Sequence, residues 1–183
     1  IYGAAMRRAT ILVGLYKAGR FLPAKLESLR QLVNFDDCNI VLLNCQNLDG
    51  ESATYKSFLD FSNVTDIVYD HHINLYETWN HGIMASQSTY ILNSNADDML
   101  HPNYVADGCD FLDNAPEVSI VSGYVLVTDV PNQLWPRWKC LSRMPDVVYP
   151  YSTAGPCPIW RRSLHDKYGY FGNYRSIGDA DMW

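Results

Sequence analysis

The chain has 183 residues, 48% of them hydrophobic and 19% charged, with a formal charge of −6. That is enough apolar material for one domain-sized core, and it excludes a disordered or strongly charged tail. The acidic balance argues against a nucleic-acid partner, whose phosphates call for a basic face, and no run approaches the ~20 apolar residues of a membrane span.

Residues 10–15 (TILVGL) form a short, apolar, β-rich run that reads as a buried strand, with 17–19 as its exit loop. Leu22, Leu26, Leu29 and Val33 then fall on one helical face, with Pro23 tolerated in the first turn. Residues 39–43 (NIVLL) read as a second buried strand. Gly50 and Glu51 open a helix that carries Tyr55, Phe58 and Leu59, and 64–69 is a third strand. Tyr76, Trp79, Ile83 and Met84 mark a third helix. Residues 89–92 (TYIL) form a fourth strand that ends in the polar run 93–98, NSNADD. A helix from about residue 102 to 112 should turn Tyr104, Gly108, Phe111 and Leu112 inward, and 118–127 reads as a long strand. Residues 129–150 hold four prolines and two tryptophans without a period, which suits an insertion, a lid or an acceptor-side excursion. Residues 161–167 read as a short helix and 169–178 as a loop.

Five cysteines (Cys38, Cys45, Cys109, Cys140 and Cys157) make an odd number with no C-x-x-C pair. That is a poor zinc site and a poor disulfide framework, so they read as reduced and buried in a cytosol-facing domain. No signal peptide is visible. The 13 Tyr and 5 Trp offer stacking surfaces for bases and sugars, and are also ordinary core residues.

Strands and helices alternate from residue 10 to 113, which predicts an α/β fold with a mostly parallel sheet flanked by helices. In such sheets ligands bind at the carboxyl ends of the strands. Tyr16, residues 44–49 and residues 95–98 should therefore converge. The strongest local feature is Asn95-Ala96-Asp97-Asp98 after a buried strand. Adjacent carboxylates repel unless a cation sits nearby, and Mg²⁺ and Mn²⁺ prefer oxygen ligands. Capping of the next helix by Asp97 and Asp98 is an equally good local reading.

Several segments in the right order resemble the family-2 glycosyltransferases. ILVGLYKAGRFLPAKLESLRQ is similar to that family's opening strand and helix, with Tyr16-Lys17 where Tyr-Asn is usual. NIVLLNCQNLDGES resembles its second strand and acidic loop. LYETWNHGIMASQSTYILNSNADD resembles the helix with a central Asn, here Asn80, that runs into the D-x-D region. GPCPIWRRSLHDKYGYFGNY and GDADMW resemble the acceptor-side strand and the motif that holds the catalytic base.

The resemblance implies a GT-A (nucleotide-diphospho-sugar transferase) fold in one domain over residues 1–183. Residues 1–100 would be the nucleotide-binding half and 101–183 an acceptor-side half cut short at its C-terminus. It implies that Tyr16 lies beside the nucleotide base and that Asn44 stands where an acid usually reads it. Asn80 and Asn95 join the donor site. Asp97 takes the place of the metal-binding Asp of D-x-D, with Asp98 beside it. Asp179 takes the place of the catalytic base, with Asp181 as the fallback. Asn44, Asn95 and Gly178 each replace a usual acid.

The activity implied is inverting, metal-assisted transfer with Mn²⁺ or Mg²⁺. The donor is a nucleotide-sugar, a UDP-sugar first among them, and the acceptor is a carbohydrate or lipid-linked hydroxyl. The setting is the cytoplasm, at the inner face of a membrane. Two alternatives stand beside it. One is a nucleotidyltransferase, although its Gly-rich basic loop is missing after the first strand. The other is a sugar-nucleotide-binding module without turnover. His71-His72, His101, Arg161, Arg162, Trp160, Trp183 and the segment 135–138 are weaker candidates for phosphate, metal or acceptor contact.

Overall fold

The computed structural model describes residues 6–123, 126–127, 139–140 and 156–173. Strands β1 (Ala9–Leu15), β2 (Cys38–Cys45), β3 (Val64–Tyr69) and β4 (Tyr90–Asn93) run parallel. Two short strands, β5 (Ile120–Val121) and β8 (Ile159–Arg161), complete a six-stranded sheet of order β3-β2-β1-β4-β8-β5, with β8 antiparallel to both its neighbours. Strands β6 (Leu126–Val127) and β7 (Lys139–Cys140) pair antiparallel with each other.

The helices are α1 (Leu22–Arg30), α2 (Glu51–Tyr55), α3 (Leu75–Ala85), α4 (Tyr104–Asn114) and α5 (Ser163–Tyr168). A 3₁₀ turn at Lys56–Asp60 extends α2. Side chains alternate across a strand, so β1 feeds two cores. Ile11 and Val13 pack with Leu22, Leu26 and Leu29 of α1, Tyr55 of α2, and Val105, Cys109 and Leu112 of α4. Leu12 packs on the other face with Tyr76, Trp79 and Ile83 of α3 and with Trp160. A strand covered on both faces must be apolar throughout, which is why β1 and β2 read as continuous runs.

The chain moves outward from β1 to β2 to β3, then returns to the far side of β1 with β4. The loops leaving β1 and β4 therefore part around a crevice at the carboxyl end of the sheet.

The structure corrects several boundaries. Helix α1 stops at Arg30, so Val33 lies beyond it and is exposed, and Leu32 fills the core instead. Met84 and Phe111 are also exposed, and Val105 and Cys109 take the inward positions on α4. The long strand expected over 118–127 is two short ones, Ile120–Val121 and Leu126–Val127. Arg161 ends β8, and the helix expected from that residue begins at Ser163. Cys38, Cys45, Cys109 and Cys157 are free and buried, and burial pushes the thiols of Cys38, Cys109 and Cys157 up to about 12. Among the described residues, no helix is long and apolar enough to cross a membrane.

Candidate active site

A cleft of about 880 Å³ opens at the carboxyl ends of β1, β2 and β4. Its walls come from the loops after β1, β3 and β4, from Leu43 and Cys45 of β2, from the first turn of α3 and from Asn173. Gly14 keeps the floor open: a Cβ there would stand 3.3 Å from Leu75 Cδ1 and 3.6 Å from Asn95 Oδ1.

Tyr16 lines the cleft, half exposed, and meets the His72 ring edge-on with centroids 5.4 Å apart. Lys17 follows with φ 51°, a left-handed conformation uncommon for a residue with a side chain. Such residues cluster at functional turns. The fully buried Glu51 ties this loop to the one after β2. Its carboxylate accepts from the Ala18 N–H at 3.0 Å and the Asp49 N–H at 2.9 Å. Asp49 Oδ2 in turn accepts from the Gly19 N–H at 3.3 Å. The sequence marks Glu51 only as a helix start, because its partner in the loop after β1, Ala18, lies 33 positions away.

Asn44 does not line the cleft. It is fully buried, and its Oδ1 accepts from the Asn47 N–H at 3.0 Å. Its Nδ2 lies 3.1 Å from both Ser52 Oγ and Tyr55 Oη. Strand alternation explains this placement: Leu43 and Cys45 face the cleft, so Asn44 between them must face α2. The residue presented at the end of β2 is Cys45. Its thiol lies 3.9 and 3.8 Å from the His71 and Ile73 carbonyl oxygens.

Asn80 is also absent from the lining. Its amide makes a two-way bridge to the Phe171 backbone, donating to the carbonyl at 2.9 Å and accepting from the N–H at 3.0 Å. Phe171 packs against Tyr76, Trp79 and Trp160, and two residues further on Asn173 reaches the rim of the cleft.

Asn95, Ala96 and Asp97 line the cleft where β4 ends. The Asp98 N–H donates to the Asn95 carbonyl at 3.1 Å and closes a turn. Asp97 is exposed, whereas Asp98 is half-buried and outside the lining. Burial raises the Asp98 carboxyl above its ordinary range; Lys25 works against that shift and Asp97 adds to it. Among the described residues no group of three or more His, Cys, Asp or Glu converges on one point.

The weaker candidates have local partners. His71 is exposed beside Asp70, at 2.6 Å. His101 Nδ1 accepts from the Asn103 N–H at 3.3 Å, at the start of α4. Arg161 donates to the carbonyls of Leu112 in the last turn of α4 and of Ala115 and Val118 beyond it, and Arg162 pairs with Asp166 at 3.3 Å. Trp160 is fully buried, and its indole N–H donates to His165 Nε2 at 2.8 Å. Asp179, Asp181, Gly178, Trp183 and the segment 135–138 lie outside the described residues.

The family model described as Glycosyl transferase family 2 matches residues 10–169. Among solved structures, S. aureus TarS 1–349 has a TM-score of 0.71 at 15% identity, over 94% of this chain and 53% of that one. The same protein in complex with UDP-GlcNAc gives 0.73 at 15% identity, over 96% and 52%. The mannosyltransferase PcManGT from Pyrobaculum calidifontis, in complex with GDP-Man and Mn²⁺, gives 0.72 at 14% identity, over 98% and 51%. The chain thus spans about half the length of these structures. No curated protein sequence matches it. Identities this low speak for the fold, which is GT-A, and a family match that runs from the first strand to the end of α5 makes the chain a member of glycosyltransferase family 2.

Proposed function

We propose that the chain transfers a sugar from a nucleoside-diphosphate donor to an acceptor hydroxyl, with inversion and with help from a divalent cation. The observation that carries this is the cleft at the strand ends, lined by Tyr16, Asn95 and Asp97, in a chain of this family. The bound UDP-GlcNAc and GDP-Man of the structural neighbours support a nucleotide-sugar as donor. A UDP-sugar is our first choice, and a carbohydrate or lipid-linked hydroxyl at the cytoplasmic face of a membrane is the acceptor.

The residues present fit Mn²⁺ or Mg²⁺ as a lightly held ion. Asp97 and Asn95 offer hard oxygen atoms on the cleft wall, and small divalent cations need only one or two carboxylates when a substrate diphosphate supplies the rest. Bound there, the cation would neutralise charge on the departing nucleoside diphosphate. Asp98 supports the turn from behind.

Tyr16 and His72 give flat surfaces to the base. Asn44 acts one step back, by holding the loop that follows β2, and Asn80 does the same for residues 171–173. Asp179 is our candidate for the group that takes the acceptor's proton, with Asp181 as the fallback. The domain spans residues 1–183, and the nucleotide half lies within 1–100.

The test is incubation with labelled UDP- and GDP-sugars in Mn²⁺ and acceptor. The reading expects release of nucleoside diphosphate, lost in EDTA. A single carboxylate on the described cleft wall favours a second reading, a binding module without turnover. Tight donor binding with no release under any acceptor would establish that second reading and overturn the first.

A further inference from the structure

Lys25 on α1 is fully buried, an expensive place for an ammonium group unless it is paired. Its Nζ donates to Ser94 Oγ and, at 2.7 Å, to the Asp98 carbonyl oxygen. Both acceptors belong to the segment that leaves β4. Ser94 is anchored by its own N–H to the Leu12 carbonyl at 2.9 Å, and Asp98 closes the turn through its N–H to Asn95.

Lys25 thus grips the turn at both ends from inside the core, and the residues between them, Asn95 to Asp97, face the cleft. One helical turn further along α1, Ser28 Oγ accepts from the Leu100 N–H at 3.1 Å, so the same helix face holds the exit of the segment as well. Burial, the largest influence, lowers the ammonium's hold on its proton, and the Asp98 and Asp97 carboxylates oppose that loss. A methionine would fill the same volume but would leave the Asp98 carbonyl without its donor and the two adjacent carboxylates without an internal counter-charge.

We propose that Lys25 is a positioning residue for Asp97: it fixes the turn and offsets its charge from behind, so that the Asp97 carboxylate stands ready for a divalent cation shared with a diphosphate. The inference rests on the metal-assisted reading above.

The test is a double-mutant cycle on UDP and GDP affinity, measured by calorimetry in Mn²⁺ and in EDTA. Lys25→Met should remove about tenfold of the Mn²⁺-dependent gain, the scale of one charge-assisted hydrogen bond. In an Asp97→Asn background it should remove nothing further. Lys25→Gln is neutral and one atom shorter, so it too loses the charge-assisted bond to the Asp98 carbonyl; it carries the same prediction and serves should Lys25→Met not fold.

A second arm needs neither metal nor nucleotide. Hydrogen exchange at the Asp98 amide should quicken at least about tenfold in the variant, while amides of β1 and β2 stay protected. An equal loss of affinity with and without Asp97, or exchange at Asp98 no faster than in the parent, would overturn the proposal and leave Lys25 a core residue only. If the unaltered protein gains nothing from Mn²⁺, the metal reading falls by itself, and the exchange arm still decides whether Lys25 holds the turn.

Discussion

Asn44 and Cys45 are neighbours with opposite duties, because successive side chains on a strand face opposite ways. Asn44 is a hub beneath the loop that follows β2, and Cys45 faces the cleft. Asn44→Ala strands the Asn47 N–H and the groups around Tyr55, so it should cost roughly 1–3 kcal/mol of stability. Thermal melting would read this as a fall of several degrees. A variant as stable as the parent but with weakened nucleotide binding would return Asn44 to direct contact. The end of β2 was legible in the sequence but not which of its residues faces the cleft, since an apolar run buried on both faces carries no alternation to fix the phase of the pleat. Tyr16, Asn95 and Asp97 needed no such phase: each stands beyond the last residue of a strand, where the loop itself forms the wall. Lys25 was not legible either, for a lysine on an amphipathic helix ordinarily marks the solvent face.

The elements around α5 carry a pH dependence. His165 is buried between Trp160, Tyr170 and Phe171. Its Nε2 accepts from the Trp160 indole, so the ring's proton sits on Nδ1, which donates to the Gly169 carbonyl at 2.9 Å. Burial lowers its affinity for a second proton below the ordinary value of 6.5, Arg162 adds to that, and Gly169 and Asp166 oppose it. The unfolded chain therefore binds a proton at higher pH than the folded one. The contribution is fully present above about pH 6.5, and stability should be lost as pH falls from there toward the folded value. His165→Gln removes this titration, so its melting temperature should change less than the parent's between pH 7.5 and 5. Equal slopes would show that His165 does not carry the effect. Residue 161 read as the first of a short helix, whereas pairing with β4 and β5 keeps Arg161 in the sheet, and the ring partners of His165 come together only through that tertiary pairing. The four parallel strands were legible because long buried runs between helical periods admit few other folds. Two- and three-residue strands such as β5 and β8 exist through tertiary pairing alone.

At the scale of the whole molecule, one sheet order explains why motifs far apart in sequence meet. The loops after β1 and β4 lie side by side although some eighty positions separate them, and Glu51 braces the first and Lys25 the second. In the proposed function Asp179 is the general base that takes the acceptor's proton. Asp179→Asn should lower transfer by ~10²–10⁴ while donor affinity holds, because a general base acts on the acceptor and not on the diphosphate. Steady-state rates beside calorimetry would check this. Transfer near the parent rate in Asp179→Asn, with Asp181→Asn dead, would move the role to Asp181.

The proposed function requires that the cleft beside Asp97 hold a nucleoside diphosphate together with a divalent cation. Calorimetric titration of UDP and GDP into the parent protein and Asp97→Ala, each in Mn²⁺ and in EDTA, tests it most directly. The parent should bind more tightly in Mn²⁺, and Asp97→Ala, still folded, should bind equally well with and without the metal. Binding that responds to Mn²⁺ equally in both proteins, or no binding of either nucleotide to the parent, would contradict it.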